Sequence, residues 1–261
     1  MEPALWVSKT GLDAQDINIA NIAQNLANVN TTGYKKSRAV FNDLIYQNLR
    51  QAGAQSTQIN EIPTGINMGT GVHMVATQKN FSDGSTLNTQ NPLDLAIQGR
   101  GFFQVLLPDG TTAYTRDGTF NLNSQGQVVT SNGYLIQPPI TIPPQTLNVT
   151  VGQDGTVTAT VYSSSTPNQL GIIQTADFIN PAGLQPMGQN LFLQSVSSGP
   201  AQLDNPGNSG LGTLLQGSLE ASNVNVVEEL VNMIQAQRTY EINAKGIQTV
   251  DNMLQYLNQT V

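Results

Sequence analysis

The last stretch of the chain, Ser222 to Leu257, constrains the fold more than any other. From Val226, steps of seven land on Met233, Tyr240, Ile247 and Leu254, apolar each time. A looser row, Leu230, Ala236, Ala244, Val250 and Leu257, runs beside it. An apolar repeat of seven held over several heptads marks a long helix whose seam faces a partner, with a left-handed supercoil expected. Asn225 stands where an N-cap belongs, and Glu228 follows three residues later, within reach of the cap. At 1.5 Å per residue the helix is roughly 50 Å long, more than one small domain covers. It needs a second helix.

The N-terminus supplies one. Pro3 suits a first helical turn, and Leu5, Leu12, Ile19 and Leu26 again recur every seven residues, with Ile22 and Val29 widening the stripe. Two seams of one period at opposite termini predict helices that pair and assemble with neighbouring copies, everything between them being looped out. The plainer alternative is two amphipathic helices on an ordinary core. The expected fold class is α+β: long terminal helices paired as a coiled-coil-like inner domain, with an all-β middle inserted between them.

Composition narrows the function. The 10 Lys+Arg and 17 Asp+Glu make 10% of the chain, against about 25% in ordinary soluble proteins. Few charges mean little repulsion between copies, which suits self-packing. A net charge of -7 counts against nucleic acid, and the one basic cluster, Lys35, Lys36 and Arg38, reads as a solvated loop end. The absence of cysteine excludes disulfides and thiolate chemistry. The first residues show neither the basic nor the apolar region of a cleavable signal peptide, and no apolar run reaches membrane-spanning length. Membrane insertion is therefore not expected.

Between the helices the texture changes twice. Residues 25 to 35 crowd Asn, Thr and Gly where the first stripe ends, with Gly33 free to take a helix-stopping positive φ. A short amphipathic piece carries Val40, Phe41, Leu44 and Ile45. Gln47 to Gly71 shows neither period and reads as an extended, structureless stretch, either functional or disordered. From Val72 to about Leu193 short apolar runs alternate with Asp109–Gly110, Asp117–Gly118, Asn132–Gly133 and Asp154–Gly155 turns. Gly101 to Leu107 reads as a buried strand, and residues 126–130 with 134–137 as a hairpin. Pro138, Pro139, Pro143 and Pro144 divide the β region, and Gly199 to Gly212 reads as a linker. The expected organisation is 1–46 with 213–261 as the helical assembly domain, 47–71 as a connecting stretch, and 72–212 as the β-rich outer domain.

No site for chemistry emerges. Gly69 to Met74 begins like a dinucleotide fingerprint but lacks the third glycine and a preceding strand. Asn121 to Gly126 imitates the start of a calcium loop whose twelfth position is Asn132 instead of Glu, so a hairpin turn explains it better. His73 is the only histidine, and its alternating neighbours favour a structural role. Asp94, Asp109 and Asp117 could in principle pair as hydrolytic carboxylates, but Asp109 and Asp117 precede glycines in turns, and Asp117 stands beside Arg116 as a local ion pair. No catalytic residue, cofactor or metal is expected.

Two segments nevertheless resemble known signatures. Asn25-Leu-Ala-Asn28-Val-Asn-Thr-Thr32-Gly33-Tyr34-Lys35 is similar to the N-terminal signature of bacterial flagellar rod and hook proteins. Ser222-Asn223-Val-Asn, followed by Gln237-Arg238, Tyr240-Glu241 and Asn243-Ala-Lys, resembles their C-terminal one. Gly99-Arg-Gly-Phe-Phe103 and Tyr114-Thr-Arg-Asp-Gly118 look like middle motifs of the same family. Chain length and the Gln47–Gly71 stretch resemble the distal-rod branch most, with hook-type and proximal rod proteins as the alternatives. The resemblance implies a helical homopolymer, with terminal helices inside and the β domain outside. It would be exported through the flagellum's own channel, cross the periplasm to the outer membrane, and carry torque from motor to hook. Implied partners are further copies, proximal rod and hook proteins, surrounding ring proteins, a rod cap and the export apparatus. A different class remains open: an exported cell-wall hydrolase or a fibre adhesin.

Overall fold

A computed structural model describes residues 2–53, 63–162 and 166–260. The chain forms two compact units, Met1–Ala27, Ser37–Gln78 and Asn225–Val261 in one, Asn28–Lys36 and Lys79–Val224 in the other. The architecture is α+β, with the terminal helices packed together and a β-rich middle. The boundaries depart from the expected ones at three places. Residues 28–36 and 213–224 belong with the β-rich unit, and 47–78 with the helices.

The first unit is built on α1 (Glu2–Ala27) and α2 (Val226–Thr260). The start of α2 follows the expected cap: Asn225 Oδ1 accepts from the backbone N–H of Val227 at 3.0 Å and of Glu228 at 3.4 Å. The acidic Glu228 and Glu229 in the first turn oppose the helix dipole. α1 ends at Ala27, so Val29, expected in its seam, lies beyond the helix and in the other unit. Four strands complete the unit: β1 (Ser37–Asp43), β2 (Tyr46–Arg50), β3 (Ile66–Gly69) and β4 (Val72–Lys79). β1 pairs with β4, and β2 pairs antiparallel with β3. Within the stretch read as structureless, 47–50 and 66–69 therefore belong to a two-stranded β-ribbon. Its residues are exposed on both faces, so no alternation of apolar and polar positions betrays its strands. Residues 54–62 of that stretch fall outside the described residues.

In the second unit a nine-stranded sheet carries 102–106 near its centre, between 112–115 and 135–137. Strand 102–106 is buried on both faces, which explains its unbroken apolar run. Phe103 enters one cluster with Phe120, Ile136, Val157 and Leu214, while Phe102 enters a second with Tyr114, Phe178 and Phe192. The expected hairpin forms over 128–130 and 135–137, with Val129 opposite Leu135 and Gly133 donating to the Thr130 carbonyl at 2.8 Å. The prolines do separate the large sheet from a three-stranded one (146–151, 156–161, 168–172), yet Val157 joins the first cluster, so both sheets share one core.

The region read as a linker, 199–212, and residues 213–224 after it are woven in. Strand 202–204 pairs with 175–177, 213–216 with 95–98, and 218–220 with 86–88. Leu211, Leu214, Leu219 and Val224 are buried. The glycines there serve tight turns between short strands; their frequency alone does not distinguish the two uses. Asp117–Gly118 likewise is not a hairpin turn, since it lies in irregular backbone after strand 112–115.

Candidate functional site: a helix face and a buried charge cluster

The facing surfaces of α1 and α2 are lined by small and polar side chains. Ser8 lies against Gly246, Gly11 against Asn243, and Asn25 against Glu229. Moving three residues up α1 from Ser8 to Gly11 moves three down α2 from Gly246 to Asn243, so the helices run antiparallel in one register. Ala14, Asn21, Ile22 and Asn25 of α1, with Glu229 and Ala236 of α2, form the buried centre. Asn25 also ties in β1: its amide donates to the Ser37 carbonyl at 2.8 Å and accepts from the Ser37 N–H at 3.0 Å, and Asn21 donates to the same carbonyl.

Most residues expected in the seams lie beside this centre. Leu5, Leu12, Ile19 and Leu26 are half-buried, as are Met233, Ile247, Val250 and Leu254. Val226, Leu230 and Tyr240 are exposed at 39%, 44% and 41%. The side chain of Leu257 lies outside those described. Of the apolar rows, Ile22 and Ala236 alone are buried outright among the described residues. What the apolar pattern missed is Ser8, Gly11 and Asn25, the small and amide positions that meet α2 at Gly246, Asn243 and Glu229. Beyond the paired face, α2 exposes Val227, Val231, Ile234 and Ile242. Of the signature residues on α2, Gln237, Arg238 and Glu241 are exposed, while Asn243 meets Gly11.

The other signature residues build a charge cluster inside the β-rich unit. Lys35 is 1% exposed, not the solvated loop end its basic neighbours suggest. Its Nζ donates to Glu220 Oε1 at 2.5 Å and to the Ser82 carbonyl at 2.8 Å. Glu220 Oε2 accepts from Arg116 Nη1 at 3.2 Å, and Arg116 Nη2 reaches the Gly99 carbonyl at 2.8 Å. Arg116 therefore pairs with Glu220, and with Asp83 at 3.6 Å, instead of with its neighbour Asp117. Asp117 accepts from Thr32 Oγ1 and from the backbone N–H and hydroxyl of Thr119. Burial pushes Lys35 below the usual lysine range, Arg116 pushes it the same way, and Glu220 acts against both.

Gly33 makes this packing possible. Its φ is +67°, its N–H donates to the Glu220 carbonyl at 2.8 Å, and a Cβ there would meet the Asp117 backbone nitrogen at 2.6 Å. Tyr34 is buried with Lys79 Nζ 4.9 Å from its ring centroid. Thr31 donates to Asn28 Oδ1, and Val224 N–H to Ser222 Oγ. Asn223 accepts from Lys36 N–H at 2.7 Å and donates to the carbonyls of Asn80 and Ser82. Elsewhere His73 is exposed on β4, and Asp94 accepts from Thr89 and Asn91. Among the described residues no three His, Asp or Glu gather as a metal site, and no helix is long and apolar enough to cross a membrane.

Three family models match the segments that build these features. They are the flagella basal body rod protein over residues 5–35, the flagellar hook protein FlgE/F/G D1 domain over 96–159, and the flagellar basal body rod FlgEFG protein C-terminal region over 215–260. The flagellar basal-body rod protein FlgG of Buchnera aphidicola subsp. Schizaphis graminum is 52% identical over 99% of this chain and 100% of its own length. The FlgG proteins of Borreliella burgdorferi and Caulobacter vibrioides are 47% and 46% identical, over 99% and 98% of this chain and 98% of each relative. The chain belongs to the FlgG family of flagellar basal-body rod proteins. As a FlgG-family protein it is a structural component of the flagellar rod, not an enzyme. The buried Lys35 and Glu220 thus serve architecture.

Proposed function

We propose that the chain is the repeating subunit of the distal rod, polymerising into a helical tube that carries torque from motor to hook. One observation supports this most directly: α2 is already paired along one face, yet exposes Val227, Val231, Ile234 and Ile242 elsewhere. A helix apolar on more than its buried face calls for a second partner. A neighbouring copy is the natural one, since a head-to-tail interface that does not close generates a filament. In that arrangement the terminal helices form a coiled-coil-like inner layer, with Leu5, Leu12, Ile19, Leu26, Met233, Ile247 and Leu254 completing seams between copies, and the β-rich unit lies outside.

The wider setting belongs to the same reading. The tube joins proximal rod and hook proteins at its ends, runs through ring proteins from periplasm to outer membrane, and is built beneath a rod cap from subunits delivered by the flagellar export apparatus. Negative-stain microscopy of the concentrated full-length protein tests the core of it. Straight tubes are expected; a monomer that stays dispersed at every concentration overturns the reading.

A further inference from the structure

The chain enters and leaves the β-rich unit through segments 28–36 and 213–224, and these meet inside it. Lys35 and Glu220 are separated by 185 positions in sequence. Around that pair, the Gly33 N–H donates to the Glu220 carbonyl, and the Asn223 N–H to the Tyr34 carbonyl at 3.4 Å. Asn223 also holds Lys36, Asn80 and Ser82, and the Asn80 N–H donates to the Lys36 carbonyl at 2.8 Å. One side chain thus fastens the points where the chain crosses in and out of the unit.

The charges make this junction conditional. Lys35 and Arg116, with side chains 0% and 3% exposed, share one buried carboxylate, Glu220 at 2%. Asp83, the other acid nearby, is 54% exposed. Without segment 213–224, two cations would face each other in a dry interior with no buried anion. Without segment 28–36, the inner end of the Glu220 strand would lose its backbone partner at Gly33 and Lys35's hydrogen bonds together. Isolated buried charges are among the most costly groups a fold can hold. We infer that Lys35, Arg116, Glu220 and Asn223 form a coincidence clasp, which closes the β-rich unit only when the segments from both ends of the chain are present. Strands 86–88 and 95–98, which pair with 218–220 and 213–216, close with it. The unit accordingly has no stable closed form over 72–212 alone, and it opens at the clasp as one cooperative piece.

Hydrogen–deuterium exchange on the full chain tests this, comparing wild type with Glu220→Gln and Lys35→Met. In Glu220→Gln, segments 28–36, 84–98 and 213–224 should exchange faster together, by a common factor of about tenfold or more, while 146–161 changes far less. Lys35→Met should have a smaller effect, because it leaves Glu220 paired with Arg116, whereas Glu220→Gln leaves two cations unpaired. A rise confined to the peptide carrying each substitution overturns the clasp, as does an equal loss from both variants. Should Glu220→Gln fail to fold, Asn223→Ala keeps all the charges and is expected to give the same joint rise; a purely local rise from it overturns the inference.

Discussion

Gly11 of α1 lies directly against Asn243 of α2, so closely that a Cβ at position 11 would sit 3.1 Å from the Asn243 amide nitrogen. The two effects of filling this space oppose each other. Gly11→Ala gains about 1 kcal/mol of helix propensity and displaces only the end of a flexible side chain, so the helical circular-dichroism melt should be unchanged or slightly raised. Gly11→Leu cannot be accommodated that way and should lower stability by about 1–3 kcal/mol, as overpacking does. A melt for Gly11→Leu at or above wild type would show that the helices are not held at this spacing.

Ile234 on α2 is 51% exposed, whereas Met233 and Leu26 are half-buried at the helix pair. Ile234→Asp should leave the monomer's melt within about 0.5 kcal/mol of wild type, as exposed substitutions usually do, and should abolish polymer formation. Met233→Asp and Leu26→Asp should abolish polymer as well while also loosening the helix pair, with the β-rich unit's melt unmoved. Sedimentation yield and melting, measured on the same samples, separate the two effects. Wild-type polymer yield from Ile234→Asp would remove that face from the interface.

Lys35 titrates below its ordinary value of 10.5 because it is buried. Below its folded pKa, both folded and unfolded chains carry the proton and the cost of burying it stands in full. Between that value and 10.5, the unfolded chain binds more protons, so this group's contribution to stability rises with pH. Lys35→Met lacks the effect. Melts of both proteins from neutral pH to 10.5 should therefore show wild type gaining on the variant as pH rises. A constant gap, or a gap moving the other way, would mean that Lys35 is not depressed.

Deleting 55–65 leaves residues 51–54 to join Arg50 to Ile66, which pair across the β2–β3 ribbon. A four-residue loop suffices for such a turn, so the ribbon itself should survive. If the removed residues brace neighbouring copies, polymers should still form but bend, with a shorter persistence length by microscopy. Polymers as straight and stiff as wild type would assign rigidity to the helices alone.

The sequence by itself determined the helices at both ends, the N-cap at Asn225, the buried strand through Phe102 and Phe103, and the hairpin about Asn132–Gly133. Each rests on a local rule, periodicity, capping or turn chemistry, that residues close in sequence satisfy together. Only the tertiary structure decided that Lys35 is buried, that 213–224 completes the β-rich unit, and that Ser8, Gly11 and Asn25 face α2 with the leucines beside them. Lys35 depends on a carboxylate 185 positions away, and Gly11 on Asn243 in the opposite helix. A lysine's or glycine's environment is set by what packs against it, and nothing in the neighbouring sequence carries that information.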